Sequence, residues 1–199
     1  KNLSIDVGDK LVAYATNDVI MLKLLKLPTP EEFEKSLDEA QAWAINVGYK
    51  EQDVDNIIKS VRKGKNNENS YWYQYFNFWR FFGGFPRKIL SVVVSEQITA
   101  CATTEIINEY EEIIQEMIRR KQGHLNKNIL QPFIQLTDII EPISKIKLSR
   151  DPEDDKFLIC AKDAHALYII SGDKDLLILK QYENIQIITA KDFCEKYLM

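Results

Sequence analysis

The sequence predicts an α/β protein: a parallel sheet with helices on both faces, entered through a β-hairpin and a two-helix arm. Three observations carry that prediction. From Pro86 onward, segments of helical periodicity alternate with short runs rich in Ile and Val, as strand–helix units of a parallel sheet do. Ahead of them, a hairpin pattern and two amphipathic stripes end at the polar linker Gly64-Lys65-Asn66-Asn67-Glu68-Asn69-Ser70. Between the two regions, nine of the twelve residues from Tyr71 to Phe82 are aromatic, out of 21 in the whole chain, so the composition breaks there. The expected divisions are therefore residues 1–24, 25–70 and 71–199.

The chain is 199 residues long, 45% hydrophobic and 28% charged, enough for one large domain or one domain with an attachment. No apolar run approaches the roughly 18 residues of a membrane span, so no membrane role is expected. Lys plus Arg number 26 against 30 Asp plus Glu, a net charge of −4 that offers no general field for nucleic acid, so any such contact must be local. Cys101, Cys160 and Cys194 are odd in number, widely spaced and set among apolar residues. That suits reduced core thiols and a cytoplasmic location, not a disulfide framework or a zinc site. The first residue is Lys1, not Met, so residues are expected upstream.

In chain order, Leu11-Val12-Ala13-Tyr14 and Val19-Ile20-Met21-Leu22 flank Asn17-Asp18 as two strands flank a turn. A lone hairpin is marginal in water, so this piece must pair with something else. Thr29-Pro30-Glu31-Glu32 then opens a helix. Thr29 can cap, Pro30 suits the first helical position and Glu32 completes a capping box. Phe33, Leu37, Ala40 and Ala44, with Trp43 beside them, form its apolar stripe until Gly48 stops it. A second stripe, Val54, Ile57, Ile58 and Val61, lies on a helix ending in Lys59, Arg62, Lys63 and Lys65. Two short helices without a core of their own must lie on a partner surface.

Beyond Gly83-Gly84 the pattern predicts a helix from Pro86 to about Ser95, a β-run at Ile98 to Ala102, and a long helix from Thr104 to Lys121. Ile106, Ile107, Tyr110, Ile113, Ile114, Met117 and Ile118 give that long helix one apolar face. A helix at Leu130 to Leu136 follows, then a helix from Asp154 to Ala166 and a strand from Leu167 to Ser171. A short helix at Asp175, a strand at Ile185 to Ile188 and a terminal helix from Ala190 complete the series. In such a sheet the chemistry belongs at the C-terminal ends of the strands.

Acidic residues are concentrated at those ends. Arg150-Asp151-Pro152-Glu153-Asp154-Asp155-Lys156-Phe157-Leu158 places Asp155 at a helix start, and Ser171-Gly172-Asp173-Lys174-Asp175-Leu176-Leu177 places Asp173 just past an apolar strand. Carboxylates that converge repel unless a divalent cation neutralises them. The alternative for each is structural: Asp154 and Asp155 as helix caps, and Ser171-Gly172-Asp173 as an ordinary turn. His124 and His165 stand alone without a nucleophile at sensible spacing, and Gly83-Gly84 lacks a phosphate-loop pattern.

Taken with Thr104-Glu105-Ile106-Ile107-Asn108-Glu109-Tyr110, these two motifs resemble, in order and spacing, the PIN-domain nucleases. They are closest to the VapC-like bacterial toxin branch, whose usual ending is matched by Ile187-Ile188-Thr189-Ala190-Lys191-Asp192-Phe193. The resemblance covers about Gly83 to Leu198 and implies a PIN-like sheet. It implies that Glu109, Asp155 and Asp173 are the catalytic acids. With Asp175 as an auxiliary, these would hold Mg²⁺ or Mn²⁺, which activates water for attack on an RNA phosphodiester. The hairpin resembles the second half of an AbrB-like domain, whose DNA-contacting first half would lie before Lys1, so no complete DNA-binding unit is implied. The two helices resemble an antitoxin that wraps its toxin, in cis or from a neighbouring chain, and a homo-oligomer stays open.

One part of the family pattern is missing. Counting back from Gly83 and Gly84 places the first-strand Asp at Trp72, and an indole cannot ligate a metal. Loss of even a neighbouring partner typically costs about 10- to 100-fold in metal affinity or activity, so the nuclease is expected to be impaired. Codons available for Tyr71 to Phe81, shifted by one nucleotide, can encode Ile-Gly-Thr-Asn-Ile-Leu-Ile-Ser-Gly-Val, which resembles the missing strand. This suggests overlapping antitoxin and toxin genes joined by a lost stop and a slip near Phe81-Phe82. A natural aromatic strand or interface segment is the alternative. The functional expectation is a toxin–antitoxin fusion silenced by its own arm, with Arg62 as the inhibitory contact. Its rival is an inactive PIN-like binding or scaffold protein.

Overall fold

The structure is a computed structural model that describes residues 5, 11–15, 19–24, 29–63, 84–121 and 131–198. Strands β1 (Leu11–Ala15) and β2 (Ile20–Leu24) pair antiparallel in a two-stranded sheet of their own, with Leu11 opposite Leu24 and Ala15 opposite Ile20. The expected Asn17-Asp18 turn lies outside the described residues. Ile20, Met21 and Leu22 are exposed, so the additional pairing expected for this hairpin is not seen among the described residues.

Helix α1 (Pro30–Asn46) starts as its sequence dictates. The Thr29 side chain accepts from the Glu32 amide at 3.2 Å, and Glu32 accepts from the Thr29 amide at 2.9 Å. Gly48, at φ +71, ends the run in a conformation that glycine adopts without steric cost. Helix α2 (Glu51–Lys63) follows. Both stripes of the arm are buried, apart from a partly buried Val61, and they share one core with the helices that come after them. Phe33, Leu37, Trp43, Val54 and Ile57 pack in the same cluster as Leu90, Val93, Ile107, Ile113 and Met117.

Those partners belong to α3 (Gly84–Val94) and α4 (Thr104–Arg120). Helix α1 packs on α3, and α2 packs on α4. At the seam the Tyr49 hydroxyl donates to the Met117 carbonyl at 2.6 Å, and Arg120 Nη2 donates to Ser60 Oγ at 2.7 Å. Arg87 reaches back to Glu34 and Asp38 on α1, but these groups are partly exposed and contribute little compared with the apolar core.

The remaining elements are β3 (Ala100–Ala102), α5 (Gln131–Leu136) and β4 (Thr137–Ile139). A 3₁₀ turn (Pro152–Asp154) then leads into α6 (Asp155–Asp163) and β5 (Tyr168–Ile170). The chain finishes with α7 (Lys174–Leu179), β6 (Gln181–Tyr182), β7 (Ile185–Ile188) and α8 (Ala190–Tyr197). Strands β3 and β4 pair in parallel, as do β5 and β7, while β6 adds an antiparallel edge to β7. The α/β class predicted from alternation is therefore the observed one, although the described strands form three separate sheets, the hairpin's own and two after it, where one parallel sheet was expected. Strands β4 and β6, three and two residues long, were not predicted, because runs this short carry no period to read. Helix α6 packs on both β3 and β5, and α3 packs on α8.

Burial pushes the Tyr49 phenol up to about 12, against the opposing pull of the Arg120 charge. Its pKa in the unfolded chain is about 10. A raised folded-state pKa contributes stability that is fully present below pH 10 and lost as pH rises through 12. Tyr49→Phe should therefore be less stable than the parent by about 1 kcal/mol at pH 8, from the lost hydrogen bond. That gap should narrow as pH approaches 11, as read from urea midpoints. A gap of constant size across this range would contradict the linkage.

Candidate functional site

Helix α4 begins because the Thr103 side chain accepts from the Ile106 amide at 3.3 Å. Its second turn carries Glu109, which is 3% exposed despite its charge. The 3₁₀ turn begins at Asp151, whose side chain accepts from the Glu153 amide at 3.0 Å. It delivers Asp154 and Asp155 to the start of α6. At the end of β5, Asp173 Oδ1 accepts from the amides of Asp175 and Leu176 at 2.6 and 3.1 Å, so it caps α7. The turn reading of Ser171-Gly172-Asp173 thus describes what that carboxylate does.

The acids are buried but serve different partners. Asp155 Oδ1 accepts from the backbone amides of Leu148 and Ser149 at 3.1 and 2.7 Å, pinning the loop that enters the 3₁₀ turn. Asp175, whose side chain is 4% exposed, is held by Arg150 through contacts of 2.7 and 3.0 Å. Glu109 is bonded through Oε2 to the Lys156 ammonium, and Lys156 is itself only 7% exposed. Glu153 Oε2 lies 3.4 Å from the same nitrogen.

The expected convergence of Glu109, Asp155, Asp173 and Asp175 into one metal-ligating group is not seen among the described residues. Among the described residues no three His, Cys, Asp or Glu side chains are arranged to hold an ion. The physical reason is local: Asp155 and Asp173 are taken up by backbone amides, Glu109 by the buried Lys156, and Asp175 by Arg150, whose side chain is largely exposed. Trp72 lies outside the described residues, as do the linker, the aromatic block and the Arg62 side chain, so the expected Arg62 contact falls outside them too.

Within the Arg150–Leu158 motif, Arg150 and Lys156 were not singled out, and Asp154 was read only as a possible helix cap. Asp154 is fully buried, makes no side-chain cap bond to α6, and lies 3.4 Å from Ser149 Oγ. Lys156 is the buried cation that meets Glu109, and the largely exposed Arg150 reaches in to Asp175. The signal for Lys156 was its position, since a cation in the first turn of a helix opposes the dipole and needs another reason to be there.

Next to the acids, a cavity of about 370 Å³ opens between the two sheets. Residues Ala100–Ala102 of β3 line it on one side and Tyr168–Ile170 of β5 on the other, with Leu90 and Phe157 from the flanking helices. Glu109 and Gly172 reach its lining, so that one buried carboxylate borders a largely apolar space. The three cysteines are free, and burial raises the thiol of Cys160 to about 11, which keeps it protonated and unreactive.

A family model described as "PIN domain" matches residues 77–175, a span that contains all four expected acids. An uncharacterized protein of Methanocaldococcus jannaschii is 30% identical over 125 residues, an alignment covering 57% of this chain and 80% of that relative. No solved structure matches the chain. Among the described residues, no helix is long and apolar enough to cross a membrane.

Proposed function

The chain belongs to the PIN-domain family, and from that premise we propose that it is a VapC-like RNA-cleaving toxin body fused to its own AbrB-like antitoxin segment and silent as it stands. The observation that carries this reading is the single core shared by arm and body, in which Phe33, Trp43, Val54 and Ile57 pack with Leu90, Ile107 and Met117. An arm that supplies so much of the apolar cover of α3 and α4 behaves as a bound partner whose tether is covalent.

PIN domains suggest nuclease chemistry and in general depend on a divalent metal, Mg²⁺ or Mn²⁺ in the toxin branch. The side chains described here do not fit such an ion as they are arranged, because their charges are already met by Lys156, Arg150 and backbone amides. Replacement of the first-strand acid by Trp72 fits that state: with one carboxylate fewer the pull on a divalent ion is weaker, and Glu109 and Asp175 pair with Lys156 and Arg150 instead. Among the acids of the α6 turn, Asp154 is the better candidate for the functional one. It is fully buried and does not cap the helix, whereas Asp155 is committed to the Leu148 and Ser149 amides.

Restoration tests the reading. The parent chain should not cleave single-stranded RNA in Mn²⁺, Trp72→Asp should cleave weakly, and Trp72→Asp with Arg62→Ala should cleave more strongly, because Arg62 is the proposed inhibitory contact. Equal cleavage by the two restored chains would remove the role of Arg62. No cleavage by either folded variant would favour the rival reading, an inactive PIN-like scaffold, which the Lys156–Glu109 and Arg150–Asp175 pairs also suit.

A further inference from the structure

We propose that Lys156 is the resident cation of the acidic site, occupying in this chain the electrostatic role of a divalent ion and excluding one. The inference rests on the PIN reading above and concerns how that site is regulated. Among the described residues, Lys156 is the one buried cation, against six buried carboxylates: Glu109, Asp151, Asp154, Asp155, Asp173 and Asp175. Lysine is almost never buried unless paired, and its pairing here is with the acid most distant in sequence, Glu109 on α4.

Two features separate this pair from an ordinary structural salt bridge. Lys156 is the second residue of α6, where the helix dipole disfavours a positive charge, so the acids hold it there against its local preference. Its ammonium also reaches more than one acid, contacting Glu109 and lying 3.4 Å from Glu153 Oε2, so a compact point charge with three donors serves two carboxylates at once. A divalent ion brought to Glu109 would meet a fixed positive charge at hydrogen-bond distance from the same carboxylate. Binding then requires Lys156 to leave, and removal of Lys156 should expose a latent cation site.

The test is Mn²⁺ binding by the full chain, followed by thermal melting and by direct titration of free Mn²⁺. The parent should bind weakly. Lys156→Met should melt lower than the parent without metal, bind Mn²⁺ at least ten-fold more tightly, and recover melting temperature as Mn²⁺ is added. Lys156→Arg should behave like the parent. Lys156→Met with Glu109→Gln should melt near the parent and lose the gained Mn²⁺ response, which places that response at Glu109. If Lys156→Met does not fold, Lys156→Gln, which can still donate to Glu109, carries the same comparison.

A Lys156→Met chain with the parent's Mn²⁺ affinity overturns the proposal, and so does a gain that survives Glu109→Gln. The Trp72→Asp chain separates the two levels. If it binds Mn²⁺ while Lys156→Met gains nothing, only the role of Lys156 falls. If none of these chains binds Mn²⁺, the PIN metal reading falls and this inference with it.

Discussion

Phe33→Ala is expected to lower the free energy of unfolding by about 3–5 kcal/mol, the usual cost of truncating a fully buried aromatic side chain. Phe33 is 2% exposed, and its neighbours in the core come from α3 and α4 as well as from the arm. The loss should therefore appear as one urea transition at a lower midpoint, coincident by far-ultraviolet dichroism and tryptophan fluorescence. A separate early transition for the arm, with the body's midpoint unchanged, would show that the shared core does not couple the two parts. Trp43 offers a control. Among the described residues its buried indole N–H has no hydrogen-bond partner, so Trp43→Phe keeps most of the apolar contact, removes that group, and should cost far less than Phe33→Ala.

Glu109→Gln is expected to destabilise the chain by about 3–5 kcal/mol, because it strands the Lys156 ammonium in the interior without its carboxylate. The direction is diagnostic. In a metal-free cluster of mutually repelling carboxylates, neutralising one acid relieves repulsion and raises stability. Here the acid is matched by an internal cation, so the same substitution removes a partner. Equilibrium urea unfolding in the presence of a chelator measures the sign, and a stabilised Glu109→Gln chain would mean that the ion pair does not neutralise this site.

The arm was legible in the sequence because its signals are local. Thr29, Pro30 and Glu32 specify a helix start through bonds within one turn, and the stripe of Phe33, Leu37, Ala40 and Ala44 follows from helical spacing alone. The same holds for the long apolar face of α4 and the β7–α8 ending. That the stripes need a partner also followed from their sequence. Which helices supply it did not, since Phe33 and Met117 are brought together by the path of the chain and not by any spacing between them.

The acidic motifs show where that legibility stops. Their order and spacing were enough to identify the family, and the match over residues 77–175 agrees. What each carboxylate does depends on which way a side chain turns from its backbone position. Asp154 and Asp155 are adjacent and chemically identical, yet one is fully buried without capping its helix and the other anchors the Leu148 and Ser149 amides.

The sequence by itself thus determined the class of fold, the helix starts, the two apolar stripes and the acidic character of the strand ends, all of which are set by residues a few positions apart. Only the tertiary structure decided that the stripes join the core of the body and that Asp173 is occupied as a cap. It alone showed that Glu109 faces Lys156 across 47 residues of sequence. Pairing between distant charges is governed by burial and distance in space, which the linear order of the residues does not contain.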